Sequence, residues 1–445
     1  MTAAPKRGAA LAARRTNLES TLSTIRSRTF QMTDALTDND LHRQFNSLMS
    51  PIVWDMGHIA NFEEYWLLRE LDGRPAHDPD LDVLYNPFDN PRWVRADLPI
   101  LDRHEAAAYL DNVRADAVDV LRDTDLDPDA PLLANGYVWS MVAQHEAQHQ
   151  ETVLQALDLR DDLAPYVIAT QERLPRRTAA VDETARVTIP GGAFMLGTSD
   201  RTHAYDNERP SHTTDVATFT IDKFPVTVRR YDEFVRAGGY ERQELWTADG
   251  WEWVSEQGHT TPQGWIPDLD GGWLVRRFGH VVSLDPTEPV EHVSFHEAEA
   301  FARYLGARLP TEAEWEKAAG WDPTTETSRT YPWGETPPTT DHANLGHVRW
   351  GPAPVGSYPR GASAYGVEQL LGDGYEWTTS FFERYPGYTM FPYPEYSEVF
   401  FGEDYRVLRG ASWATSKRVA RTTFRNWDYP IRRQIFAGIR LAWDV

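Results

Sequence analysis

The sequence predicts two domains of different class: an N-terminal four-helix bundle, all α, and a C-terminal α+β domain with much irregular loop. Three observations predict this. Apolar residues recur at helical spacing through the first third. From Ala185 short β-prone pieces alternate with Gly, Pro and Asn/Asp turns. A length of 445 residues also suits two or three domains with real cores.

Residues 1–15 carry positive charge without an apolar core of signal-peptide length, and are expected to be a disordered tail. The bundle is expected over 16–160. Leu18, Leu22, Ile25, Thr29 and Met32 mark the buried stripe of its first helix. Ser50-Pro51 reads as a cap and first helical residue, opening a second helix to about Glu70. Asp102 and Glu105 form a capping box before an alanine-rich third helix to about Arg122. The fourth and longest runs from near Pro131 to Asp158. A polar linker is expected over 161–184 and the α+β domain over 185–445. Its strands are expected at Arg186–Pro190, Thr218–Asp222, Val290–Ser294, Arg406–Leu408 and Ile439–Trp443, its helices at Val228–Ala237, His296–Leu305 and Thr311–Ala319.

Composition narrows the function. A net charge of −23 repels phosphate backbones, which argues against a nucleic-acid partner. No stretch approaches the eighteen or so apolar residues of a membrane span. Cysteine is absent, so thiolate ligands, iron–sulfur clusters and cysteine nucleophiles are excluded. A cytoplasmic protein, monomeric and acting on small molecules, is expected.

The chemistry concentrates in Val142-Ala-Gln-His-Glu-Ala-Gln-His-Gln-Glu151. His145 and His149 stand four residues apart on one helix, so both imidazoles leave the same face, one turn apart. Two neutral imidazoles so placed suit one divalent transition metal. The same stretch matches H-E-x-x-H, the zinc-protease pattern in which the glutamate is the general base. The extended protease form is missing, since Thr152 and Gln155 occupy its further positions. Glu146 points away from the histidine stripe and can orient a ligand from behind. His58, in Trp54-Asp-Met-Gly-His-Ile59, is the candidate third ligand; alone, such a histidine reads as a core residue. Gly57 beside it permits close approach by another backbone or a ligand. Three imidazoles would leave open positions, the mark of a catalytic metal.

The remaining motifs carry a family resemblance. The phrases are Ile189-Pro-Gly-Gly-Ala-Phe-Met-Leu-Gly197, Asp206-Asn-Glu-Arg-Pro210, Pro225-Val-Thr227, Ala307-Arg-Leu-Pro-Thr-Glu-Ala-Glu-Trp-Glu316, Tyr331-Pro-Trp-Gly334, Tyr375-Glu-Trp-Thr378 and Leu408-Arg-Gly-Ala-Ser-Trp413. They resemble the sulfatase-modifying-factor (formylglycine-generating enzyme) domain, a variant of the C-type-lectin fold, while the first third resembles the DinB-type metal-binding bundle. The combination is similar to the iron-dependent sulfoxide synthases of ergothioneine biosynthesis (EgtB family) over nearly everything after residue 15. That resemblance implies Fe(II) as cofactor and an O₂-dependent union of a thiol with C2 of the imidazole of Nα-trimethylhistidine (hercynine), with the sulfur oxidised to a sulfoxide. The lack of cysteine excludes formylglycine-generating chemistry.

The resemblance also implies roles. His58, His145 and His149 are the iron ligands. Tyr393 is the active-site acid and Tyr396 a second pocket tyrosine. Arg92 and Arg95 grip the carboxylates of γ-glutamylcysteine through guanidinium forks, with Asp428 and Arg432 as the complementary site for its ammonium and carboxylate ends. Gln148 hydrogen-bonds hercynine, and Trp427 is a candidate wall for its trimethylammonium. Gly372-Asp-Gly-Tyr-Glu-Trp377 departs from the family phrase, as does Val228 after Pro225-Val-Thr227, so a structural calcium near Asp373 is left open. Free cysteine as the thiol, ovothiol-type chemistry, an H-E-x-x-H zinc protease and a non-catalytic lectin-like binding protein are the alternatives.

Overall fold

The structure is a computed structural model that describes residues 3–126, 128–161, 166 and 180–445. It divides into two compact units: Met1–Ile168 with Arg201–His203, and Ala169–Asp200 with Ala204–Val445. Of the linker expected over 161–184, residues 162–165 and 167–179 lie outside the described residues.

The first unit is helical: α1 (Ala3–Thr33), α2 (Asp38–His42), α3 (Ile52–Glu63), α4 (Pro79–Leu84), α5 (Arg103–Asp123) and α6 (Tyr137–Asp158). The four long ones pack together, α3 against α5 and α6, α1 against α6 and α5. The stripe Leu18, Leu22, Ile25, Thr29 and Met32 is buried, as its period demands. The tail expected over residues 1–15 is instead helical from Ala3. Its alanine and arginine content favours helix, and Arg14 and Arg15 donate to the carbonyls of Asn135, Leu121 and Thr124.

Pro51 is the N-cap of α3 rather than its first residue, and a π-helical segment, Glu64–Glu70, carries the chain on to the expected end. The Asp102–Glu105 capping box opens α5 as expected. The fourth helix starts later than expected, at Tyr137, because Asn135 and Gly136 turn left-handed with φ of 57° and 70°. A Cβ on Gly136 would lie 2.4 Å from Leu18 Cδ1, so glycine lets that corner close on α1.

Each long helix contributes one buried charge to a network at the bundle centre. Arg26 Nε of α1 donates to Glu146 Oε1 of α6 at 2.8 Å, and its Nη2 to Glu63 Oε2 of α3 at 2.7 Å. Arg114 of α5 donates through Nη2 to Glu146 Oε2 at 2.6 Å and to Glu63 Oε2 at 2.9 Å. Thr29 Oγ1 adds a hydrogen bond to Glu146 Oε1 at 2.7 Å. Two positive and two negative groups cancel, the condition for burying ions at all.

The second unit is α+β. Strands β1 (Arg186–Ile189), β4 (Phe219–Asp222) and β14 (Ala442–Asp444) form one sheet in the order β1-β4-β14, and β2 (Gly192–Leu196) with β3 (His212–Val216) form a hairpin. Strands β5 (Trp265–Pro267), β6 (Trp273–Arg277) and β7 (His280–Ser283) make a meander, and β8 (Trp321–Asp322) pairs with β9 (Thr327–Ser328). A four-stranded sheet runs β12-β11-β10-β13, from β10 (Tyr375–Phe382), β11 (Gly402–Gly410), β12 (Asn426–Asp428) and β13 (Ala437–Gly438). Helices α7 (Val228–Arg236), α8 (Ala248–Gln257), α9 (Phe295–Tyr304) and α10 (Glu312–Gly320) lie between the strands, and the short α11 (Pro394–Ser397) follows β10. Ile189, Phe219, Ile221, Trp315, Leu345, Val367 and Ala442 fill the core.

The expected strand Val290–Ser294 does not form, because His292 adopts φ 60° and Ser294 already caps α9 with Glu297 in a capping box. Asp373, where the family phrase departs, is buried and accepts from Asn344 Nδ2, Gln369 Nε2 and the Ala353 amide at 2.9, 2.8 and 2.7 Å. Among the described residues no helix is long and apolar enough to cross a membrane.

Candidate metal centre

Helices α3 and α6 bring the three sequence-selected histidines together. One nitrogen from each of His58, His145 and His149 lies within 4.8 Å of the other two. The ring centroids are 5.1 Å apart for His58–His145, 4.9 Å for His58–His149 and 4.6 Å for His145–His149. Two nitrogens bound at about 2 Å to one ion lie at most about 4 Å apart, so a small turn of the rings brings all three nitrogens onto one point between them.

Two of the rings are oriented by partners on their far nitrogens. His58 Nδ1 donates to the Tyr85 carbonyl at 2.8 Å, and a carbonyl can only accept. The proton is thereby fixed on Nδ1, and Nε2 presents its lone pair. His149 Nδ1 lies 2.9 Å from Asp55 Oδ1, a carboxylate oxygen that can only accept, so this ring likewise donates from Nδ1. The His145 ring is held by stacking on Phe62, centroids 3.8 Å apart and planes 15° from parallel. Burial, reinforced by the neighbouring histidines, pushes His58 and His145 well below the usual imidazole range. Neutral rings are what a divalent cation requires.

The surroundings explain why the sequence folds this way locally. Trp54, one turn before His58 on α3, stacks on its ring at 4.9 Å and 12°. A Cβ on Gly57 would fall 2.1 Å from Tyr85 Cζ. The group that closes on Gly57 is the Tyr85 side chain, not the expected backbone or ligand, and the Tyr85 carbonyl reaches His58. The 3₁₀ turn Arg92–Asp97 carries both arginines selected from the sequence. Arg92 is exposed, whereas Arg95 is buried. The Arg95 guanidinium lies 3.5 Å from the Trp54 ring centre and donates to Ser50 Oγ at 2.7 Å and the Asn90 carbonyl at 2.8 Å. Burial, with Arg92 nearby, lowers Arg95 to about 9. Gln148 is half-buried on α6, three residues after His145.

Glu146 does not face the histidines. Both its oxygens are taken by Arg26, Arg114 and Thr29, and those cations offset its burial and hold its carboxyl at about 2. A base so committed cannot activate a water, which removes the catalytic premise of the protease alternative.

The other selected residues cluster in the second unit. Tyr393 caps α11 and meets Tyr396 edge-on at 6.2 Å. Tyr396 meets Trp427 edge-on at 5.9 Å and stacks on Tyr205 at 4.1 Å. Trp427 stacks flat on Phe382 at 4.0 Å and 8°, so one of its faces is packed by the protein. Asp428 Oδ2 lies 3.4 Å from Arg432 Nε, an ion pair one turn of chain apart.

Sequence reasoning missed the orienting groups Asp55 and the Tyr85 carbonyl. The only signal for Asp55 was a carboxylate one helical turn before His58, and a backbone carbonyl leaves none.

Residues 21–153 match the DinB superfamily, and residues 170–445 match the sulfatase-modifying factor enzyme 1-like domain. The chain is 47% identical over 441 residues to a hercynine oxygenase of Mycolicibacterium smegmatis, covering 97% of this chain and 99% of that protein. It is likewise 47% identical over 428 residues to a hercynine oxygenase of Mycobacterium tuberculosis, covering 95% and 98%. The fold and site define a two-module class, in which a DinB-like bundle holding three converging histidines precedes a C-type-lectin-like sulfatase-modifying-factor domain. Within that class the chain belongs to the hercynine oxygenase family, and it is an oxygen-using oxidoreductase.

Proposed function

We propose that this enzyme joins γ-glutamylcysteine to C2 of hercynine and oxidises the sulfur, giving γ-glutamyl-hercynylcysteine sulfoxide. The reaction balances with one O₂. A C–S bond replaces one S–H and one C–H bond, one oxygen atom enters the sulfoxide, and the other leaves as water. The observation that carries this reading is the set of three imidazoles with ligand nitrogens within 4.8 Å, two of them with Nδ1 engaged by another group and Nε2 left to coordinate. This all-nitrogen donor set fits Fe(II) and leaves positions open. Iron held by His58, His145 and His149 would supply the redox centre at which thiol and O₂ react.

The chain's own residues supply binding and proton control. Arg92 and Arg95 meet the carboxylates of γ-glutamylcysteine, and Asp428 with Arg432 meets its ammonium and carboxylate ends. Gln148 hydrogen-bonds hercynine, while Trp427 faces its trimethylammonium. Tyr393 holds a phenolic proton and delivers it to oxygen as oxygen is reduced.

The test is direct. Protein loaded with Fe(II) is given hercynine, air, and either γ-glutamylcysteine or cysteine, while O₂ uptake and product mass are followed. A sulfoxide conjugate is expected, formed faster with γ-glutamylcysteine. No conjugate with either thiol overturns the proposal, and a preference for cysteine overturns its thiol assignment. Tyr393→Phe is expected to divert turnover from sulfoxide toward thiol oxidation without unfolding the protein.

A further inference from the structure

The motif Asp206-Asn-Glu-Arg-Pro210 has no part in the chemistry above, yet its first residues grip the segment that carries Tyr393. Asp206 is fully buried. Its Oδ2 accepts from the Tyr388 phenol at 2.8 Å and from the Phe391 amide at 3.1 Å, and its Oδ1 accepts from the Ser397 hydroxyl. These three donors bracket Tyr393, two before it in sequence and one after. Asn207 Nδ2 donates to the same Ser397 hydroxyl at 3.0 Å, so that oxygen is both donor and acceptor in a fixed geometry. On the other flank the Tyr205 ring stacks on Tyr396.

The gripping residues are themselves anchored. Glu208 takes Arg421 Nε and Thr423 Oγ1, each at 2.7 Å, and closes back on the Tyr205 amide at 2.8 Å. Arg425 Nη1 donates to the Asn207 carbonyl at 2.8 Å. The segment from β10 to β11 has little regular structure of its own beyond α11 and one 3₁₀ turn, Glu398–Phe400. Its position is therefore set from outside, by groups with rigid support.

We propose that Asp206 is the positioning residue for Tyr393: its carboxylate pins both ends of the Tyr388–Ser397 segment and so fixes where the phenol stands. The inference rests on the proposed role of Tyr393. Burial of an ion is costly, and burial lifts the Asp206 carboxyl above its ordinary range despite three donors and the charge of Arg209. Holding a loop is a function that warrants such a cost.

The test places 3-fluorotyrosine at position 393 of the full chain and compares Asp206→Ala, Asp206→Asn and Ser397→Ala with the parent. Ser397→Ala removes one donor and leaves the carboxylate intact, so it serves if the Asp206 variants fail to fold. A single narrow ¹⁹F line is expected in the parent. In Asp206→Ala the line should shift or broaden, and amide exchange over 388–397 should rise about tenfold or more, with smaller changes in Ser397→Ala. In iron-supplemented turnover the ratio of sulfoxide to oxidised thiol should fall toward that of Tyr393→Phe, with the thiol KM within about twofold of the parent. An unchanged ¹⁹F line and exchange pattern overturn the proposal. So does a loosened segment with an unchanged product ratio, provided Tyr393→Phe moves that ratio. If Tyr393→Phe leaves the ratio unmoved, the proposed role of Tyr393 has failed, and the ¹⁹F and exchange measurements alone decide whether Asp206 positions the segment.

Discussion

Replacing Glu146 by Gln separates a structural carboxylate from a catalytic base, and the structure sets the size of the effect. In the bundle, Glu146 and Glu63 together neutralise Arg26 and Arg114, all four buried. An amide of the same shape leaves two buried guanidiniums facing a single carboxylate. Breaking a buried pair in this way costs about 3–5 kcal/mol. For a domain of this size that lowers Tm by about 6–20 °C.

Acid titration gives an independent route to the magnitude. The Glu146 carboxyl falls from an ordinary 4.5 to about 2 in the fold, worth about 3 kcal/mol by linkage. Because the folded value is depressed, this stabilisation is complete above about pH 4.5 and fades as pH falls toward about 2. Glu146→Gln should lack that part of the acid-induced loss. The assay is urea unfolding followed by far-ultraviolet circular dichroism between pH 7 and pH 3, with a casein-cleavage control. A loss under about 1 kcal/mol together with an unchanged acid profile would refute the network as a source of stability, and zinc-dependent proteolysis abolished by the substitution would restore the protease reading.

Asp55→Asn should weaken divalent-metal affinity by about 10–100-fold, read by chelator competition, because His149 loses the carboxylate that orients its ring. Gly57→Ala puts a methyl 2.1 Å from Tyr85 Cζ. It should cost about 1–3 kcal/mol in thermal unfolding and also weaken metal binding, since the displaced Tyr85 takes its carbonyl from His58. Arg95→Ala should raise the thiol KM about tenfold or more and lower Tm as well, because the side chain also clamps Ser50, Asn90 and Trp54. A lowered Tm with an unaltered KM would leave Arg95 only the clamp.

Much of the fold was legible because local rules agreed with tertiary demand. The α1 stripe, the α5 capping box and helices α7, α9 and α10 fall where spacing and caps put them. The misses have local causes that a pattern cannot express. Val290–Ser294 has β-prone residues but is broken by a left-handed His292, and the start of α6 is delayed by a left-handed Asn135–Gly136 corner shaped to Leu18. The helix over the expected tail depends on carbonyls from Leu121, Thr124 and Asn135, more than a hundred residues away.

The chain by itself determined which donors exist. Two histidines four residues apart offer two nitrogens from one helix face, because helical periodicity fixes which side chains share a face, and the absence of cysteine rules out thiolate partners. Only the tertiary structure decided how those donors are aimed. The proton on His58 is set by a carbonyl 27 residues away and that on His149 by a carboxylate 94 residues away, while Glu146, adjacent to His145, is turned to two arginines. Hydrogen-bond partners so distant in sequence are chosen by packing, and no local pattern encodes them.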